Sequence, residues 1–447
     1  MSRKLIVALL AASFMFVGMS FAAVENIKVS GDMNLENINR DFSLGAGSNE
    51  DSHQFLISQI RLRFDADLTE GVSAVVRLIS ERTWGEDNSV TSDSSDAIEL
   101  DLGYIELKEF LYQPLTLIVG RQNLRYGSGL IVGDPDTNQG INTADNDSGL
   151  PTIATDLSLR KSFDAARAIL DFAPWTLDFV FAQVDENATN DKHLDEVLAG
   201  MNAAYDWSSY NGLTELYFFA ANNTPRSTTE NNDKDHVYVV GARTQFDPTD
   251  KITLGAEGAY QFGDRRVSSS DNDHIRAWAG KANAEYRFLN KYNVKIGTDY
   301  TYLQGDSTTR GERHSGWNPM WEDETPAEII NVLMENSNAH YIRITGSMMP
   351  REDVTLGMVY CHAMLDKTLN STSYSPLTNL GVSSGYNYTV KTDEKQFGDE
   401  VDLYGVYDYT EDVQIKLVGA FFIPGDVFAK DNDNTAYSVR AGLSVDF

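Results

Sequence analysis

Along most of the chain, apolar and polar residues change places at every second position. Between Leu56 and Asp65, Leu56, Ile60, Leu62 and Phe64 fall on one parity, and Gln59, Arg61, Arg63 and Asp65 on the other. Between His236 and Phe246, Tyr238, Val240, Ala242 and Phe246 oppose Gly241, Arg243 and Gln245. Between Ile275 and Phe288, Trp278, Ala282, Ala284, Tyr286 and Phe288 oppose Lys281, Asn283, Glu285 and Arg287. A period of two predicts strands rather than helices. Charge on one parity and large apolar groups on the other suits a strand with lipid on one face and water on the other.

The connections alternate as well. Short turns are expected near 67–71, 112–114, 173–174, 206–212, 247–250, 290–291, 350–353 and 410–411. Longer polar stretches fall at 43–52, 85–95, 127–161, 186–194, 223–234, 264–273, 305–337, 365–396 and 424–434. They delimit about 18 strands of the ~9–11 residues that a tilted membrane crossing requires. The expected fold is all-β: an 18-stranded transmembrane antiparallel β-barrel with short periplasmic turns and long extracellular loops. A secreted β-sandwich or solenoid is the rival, but its outward face would be polar. Here strand after strand sets a charged face against an aliphatic and aromatic one. The last strand, Tyr437 to Phe447, alternates to its terminal Phe447. It resembles the closing strand of bacterial outer-membrane barrels, which implies delivery by the barrel-assembly machinery.

The N-terminus agrees with export. Arg3 and Lys4 precede the short apolar run Leu5–Val17, and Ser20-Phe21-Ala22 supplies small residues for cleavage. Residues 1–22 are expected to be a cleaved signal peptide and 23–447 one barrel domain. No later apolar run approaches the ~20 residues of a membrane helix, so a span must be β and the location the outer membrane of a Gram-negative-type bacterium. The sole cysteine, Cys361, excludes an intrachain disulfide framework and an N-terminal lipidated cysteine. The chain carries 36 basic and 66 acidic residues, a net charge of -30. That balance argues against nucleic acid and against general attraction to an anionic membrane surface.

Counting parity places Arg61, Arg63, Arg77, Arg121, Arg125, Arg167, Arg243, Lys281, Arg287, Arg343, Lys416 and Arg440 on the lumen side. Asp65, Glu81, Asp171, Asp178, Glu257, Glu285, Asp299, Asp402 and Asp408 accompany them. An arginine at the lipid midplane costs about 2–4 kcal/mol, so so many cations must meet water or carboxylates. Two readings stay open: cross-strand ion pairs that stabilise the sheet, and a lining that attracts anions. Tyr104, Trp175, Tyr205, Tyr260, Tyr300, Tyr302, Tyr407 and Tyr409 lie near expected strand ends, as interfacial aromatics do.

The stretch VGRQNLRYGSGLIVGD (119–134) sets two arginines before a glycine-rich run, and KSFDAARAILDFAPWTLDFVFA (161–182) follows. No helix follows Gly127-Ser128-Gly129, so a phosphate cradle is not expected. Together with SGWNPMWEDETP (315–326) these blocks resemble the alginate-export family of outer-membrane channels. The resemblance implies an 18-stranded barrel with an arginine-rich constriction that passes an acidic polysaccharide. It implies roles for Arg121, Arg125 and Arg167, with Asp164 and Asp171 as their partners.

The expected function is diffusion of an anionic saccharide or polysaccharide through the pore, and no enzyme activity. A general or small-carboxylate porin and a structural barrel with a loop-plugged lumen are the alternatives. A hydrolase would need a nucleophile and base; His340, His362 and Ser347 lie on neighbouring strands but without convincing spacing. No cofactor is expected, except that Asp271-Asn272-Asp273 and Asp431-Asn432-Asp433-Asn434 offer oxygens suited to Ca²⁺. Outer-membrane lipid and an anionic saccharide or small acid are the expected partners, with monomer and trimer both open.

Overall fold

The computed structural model describes residues 26–45, 52–84, 98–135, 156–185, 196–223, 235–268, 271–306, 313–374 and 388–447. The expected signal peptide lies outside them. Eighteen strands form the wall. They are β1 (Asn26–Asp41), β2 (His53–Thr69), β3 (Val72–Thr83), β4 (Glu99–Leu107), β5 (Leu115–Asn123), β6 (Ser162–Phe172), β7 (Trp175–Asp185), β8 (Glu196–Trp207) and β9 (Gly212–Asn223). They continue as β10 (Asp235–Thr249), β11 (Ile252–Ser268), β12 (Asp271–Arg287), β13 (Lys295–Leu303), β14 (Ala339–Arg351), β15 (Val354–Leu365), β16 (Gln396–Asp408), β17 (Val413–Pro424) and β18 (Ala436–Asp446). Each pairs antiparallel with its neighbour in sequence, and β1 pairs with both β2 and β18. Closure leaves the wall without an edge, which backbone inside lipid requires.

Alternation sorts the side chains. Val29, Val240, Trp278, Ile344 and Leu417 stand exposed on the outward parity, while Ile38, Ile79, Val239, Ala277 and Tyr341 are buried inward. All eight expected short turns occur. One expected loop does not: β11 and β12 extend through 264–273 and are joined by two residues. Asp264 on β11 and His274 on β12 bond across this extension at 2.6 Å, so polar residues continue the ladder beyond the apolar belt. Tyr104 also departs from expectation, lying on the inward parity beside Arg63 rather than at a lipid boundary.

Candidate functional site: the barrel lumen

Two of the long connections turn into the barrel. Leu124, Tyr126, Leu130, Ile131 and Val132 are all at most 4% exposed, as are Trp317, Trp321, Ile329, Ile330 and Leu333. Such residues could not remain in water. They pack with inward wall residues including Ala165, Val180, Tyr217, Phe219, Ala259, Ala277 and Tyr341 in one apolar cluster. The two segments also hold each other: Trp321 N–H donates to Ile131 O at 3.0 Å, Gly133 N–H to Trp321 O at 2.7 Å, and Asp323 N–H to Gly129 O at 2.8 Å.

Wall carboxylates anchor this insert. Glu257 on β11 accepts Ser128 N–H at 3.0 Å, and Glu215 on β9 accepts Gly127 N–H at 3.3 Å. Asp178 accepts the Tyr126 hydroxyl at 3.0 Å. Glu400 on β16 accepts Ile329 and Ile330 N–H at 2.6 Å each, where a single helical turn begins. Glu81 accepts Leu159 N–H and the Ser158 hydroxyl, both at 2.8 Å. An unpaired backbone N–H inside a barrel would be costly, and these carboxylates satisfy several at once. The glycine-rich run does bind anions, but they are the wall's own. Gly127 (φ 60°) and Gly129 (φ 94°) make the turn that presents those N–H groups.

The basic residues expected in the lumen are mostly paired. On the inward parity, Arg61 meets Asp32 at 3.0 Å, Arg63 meets Asp65 at 2.7 Å, and Arg77 meets Asp101 at 2.5 Å. Arg167 meets Asp178 and lies over the Tyr126 ring. Arg243 meets Glu215 at 2.9 Å, Arg343 meets Asp299 at 3.5 Å, and Arg440 lies 3.3 Å from Glu328 and 3.7 Å from Glu36. Arg287 sits near the short-turn end with Glu285 and Asp247. Lys281 reaches Glu324 of the inserted segment. Lys416 is inward, with no ion-pair partner among the described residues.

Two expectations need correction. Arg121 shares its parity with Val119, 49% exposed, and pairs in register with Asp164, itself 62% exposed, so both lie on the outward face. Gln122 takes the inward place instead and donates to Ala165 O. The outward arginine is tolerated because it stands at the long-loop end of β5, where the lipid penalty falls to about 0–1 kcal/mol and Asp164 lies 3.2 Å away. Asp171 partners no arginine: at the β6–β7 turn it accepts Ala173 N–H at 3.1 Å. Asp178, not Asp171, holds Arg167.

Parity counting named Arg125, which lies beyond the end of β5, but missed Lys161 and Arg160 in the same connection and the inward Arg40 near the end of β1. Arg125, half exposed, and Lys161 both reach Asp323 of the inserted segment. Arg160 contacts Glu99 and Glu81, and Arg40 makes a bidentate pair with Asp156, the two side chains 3% and 7% exposed. His340 bonds Tyr300 and His362 bonds Asp399 on the outward face, while Ser347 falls on the inward parity; they form no hydrolytic set. In the 431–434 run, Asn432 is turned inward to accept Thr389 N–H at 2.6 Å. Among the described residues no three His, Cys, Asp or Glu side chains converge as metal ligands do.

A closed barrel of 18 strands with apolar outside, charged inside and inward-folded connections defines an outer-membrane channel of the porin type. The chain belongs to the Alginate export family, whose sequence profile matches residues 32–441. No curated protein matches it. Among solved structures, it is similar to Pseudomonas aeruginosa OpdQ (TM-score 0.57, 12% identity, covering 95% of this chain and 98% of that one). It is similar likewise to OccK8 (OprE) of that organism (0.56, 12%, 95% and 98%). OccK2 (OpdF), solved in complex with glucuronate, scores 0.54 at 10% identity over 95% and 98% of the two chains.

Proposed function

We propose that the chain is a passive channel for anionic saccharides or small organic acids, narrowed by the inserted segments 124–135 and 313–337. Membership of the Alginate export family, matched over nearly the whole barrel, carries this reading. The glucuronate held by OccK2, a sugar acid bound within the same architecture, supports the solute class. Within the lumen, the cations best placed to meet a solute are Arg125, 51% exposed, and Lys161, 39% exposed. Both reach Asp323, and Lys161 also lies 4.0 Å from Asp134, so each cation is paired while its side chain stays partly open to a solute at the narrowing. Wall arginines nearer the periplasmic end, such as Arg63, would receive a carboxylate after release from this point. Partial pairing keeps binding weak enough for departure.

The test is the reversal potential across planar bilayers under a salt gradient. Anion preference in the wild type, reduced in Arg125→Ala/Lys161→Ala, is the expected result. Absence of conductance in any salt would instead favour a structural barrel plugged by its inserted segments. Conductance with unchanged selectivity in the double variant would remove these two residues from the pathway.

A further inference from the structure

On the outward face of β9–β12, strand register arranges side chains in three rows across the barrel. The row nearest the long-loop end is Asn222, His236, Asp264 and His274, successive register partners. The next is Ala220, Tyr238, Phe262 and Arg276. The third is Phe218, Val240, Tyr260 and Trp278. The aromatic members touch continuously: Phe218 stacks on Tyr238, Tyr238 on Phe262 at 5.4 Å and Phe262 on Tyr260, and Tyr260 lies tilted against Trp278 at 4.4 Å. Trp278 is 54% exposed on this face. Such a band marks the boundary between hydrocarbon and head groups.

Arg276 therefore stands on the lipid side, at the upper edge of the band. It is exposed, with no ion pair or hydrogen bond among the described residues. The nearest outward carboxylate in these rows, Asp264, is engaged by His274 at 2.6 Å, and the His236 ring is engaged by Asn222. A guanidinium left unpaired at this depth is anomalous beside Arg121, which has Asp164 on the same face of β5 and β6. It is explained if a lipid supplies the anion. We propose that this patch binds a phosphorylated lipid head group of the outer leaflet. Arg276 holds the phosphate as a bidentate donor, the imidazoles of His236 and His274 flank it, and the aromatic band packs on the acyl chains. The chain's net charge of -30 opposes general attraction to an anionic surface, so binding depends on this local arrangement.

The probe is lipid A, diphosphorylated or enzymatically dephosphorylated, titrated onto the detergent-folded barrel and followed by native mass spectrometry. The diphosphorylated form is expected to bind more tightly, with affinity falling as salt is raised. Arg276→Gln is expected to weaken it about fivefold, the effect of one cation at an anionic lipid surface, with single-channel conductance unchanged. Arg276→Lys should retain most of the preference. Equal binding of the two lipid forms, salt-independent binding by the wild type, or undiminished binding by Arg276→Gln would each overturn the proposal.

Discussion

Docking of the segment 313–337 inside the barrel should depend on pH through Glu322. This side chain is 2% exposed, between Trp321 and Asp323, and both of those neighbours contact the other inserted segment. Burial pushes its pKa up to about 8 from the ordinary 4.5, against hydrogen bonds from Asn336 at 2.9 Å and the Glu324 N–H at 2.5 Å. A carboxyl whose pKa rises on docking holds its proton more tightly docked than free. Docking is then strongest below about pH 4.5, weakens by about 1.4 kcal/mol per pH unit from there to about 8, and loses nothing further above that. From pH 5 to pH 7 the loss is two pH units, about 2.7 kcal/mol, or roughly a hundredfold in the opening equilibrium.

Hydrogen exchange of peptides spanning 317–336, corrected for intrinsic exchange, measures that opening. Glu400 and Asp402 also hold this segment, so the readout is the difference between wild type and Glu322→Gln. Asp306, at the base of the same connection, works in the opposite direction. Burial raises its pKa, but the Ser315 N–H and His314 outweigh that and set it below 3.8, so its contribution is lost only in stronger acid. Wild-type protection should fall about a hundredfold more than that of Glu322→Gln between pH 5 and 7. A difference under about threefold would refute the argument that burial keeps Glu322 protonated.

Arg121→Ala should leave ion selectivity unchanged in planar bilayers, because its guanidinium faces outward; a shift as large as that of Arg125→Ala would put it in the pore after all. Arg40→Ala strands the buried Asp156 carboxylate, a loss of about 3–5 kcal/mol for a pair of this kind. Proteolysis of the folded barrel near 156–161 should then quicken, and an Arg40→Met/Asp156→Leu double variant should recover part of the resistance. Gly120→Ala should impair folding, seen as loss of the heat-modifiable band in a cold detergent gel. Its φ of 125° disfavours a side chain, and a Cβ would lie 2.2 Å from Gly103 O.

The wall was legible because lipid imposes the same constraint on every strand. Gln59 to Asp65 and Lys281 to Phe288 alternate at every position, and the turns between strands announce themselves with Gly, Pro, Asn and Asp. Arg121 shows the limit of letting charge decide parity. Val119 and Arg121 share a face, and strict counting from Val119 would have sent the arginine outward; only its depth and Asp164 make that acceptable. The inserted segments were illegible for a different reason. Their apolar residues have no fixed period, and the carboxylates that hold them are distant in sequence: Glu257 lies 129 residues from Ser128, and Glu400 lies 71 from Ile329. From sequence, those carboxylates look like wall charges awaiting arginines. The one available signal was local: Trp317, Met320 and Trp321 crowd a connection that should be polar if it lay in water.

That division of labour among the carboxylates bears on selectivity. Asp178 serves both Arg167 and the Tyr126 hydroxyl, and Glu215 serves both Arg243 and the Gly127 N–H. A carboxylate shared between a cation and a neutral donor neutralises the cation fully while also fixing the insert. Replacing such an acid would therefore release the segment and free an arginine together, and its two effects on current could not be separated. Asp323 differs: it is on the insert, faces two cations at once, and accepts no backbone N–H among the described residues. Asp323→Asn should thus raise anion preference through Arg125 and Lys161 while leaving exchange protection over 317–336 near that of the wild type. A gain in selectivity accompanied by loss of protection would show that Asp323 acts by holding the insert, and the charge argument for the narrowing would fail.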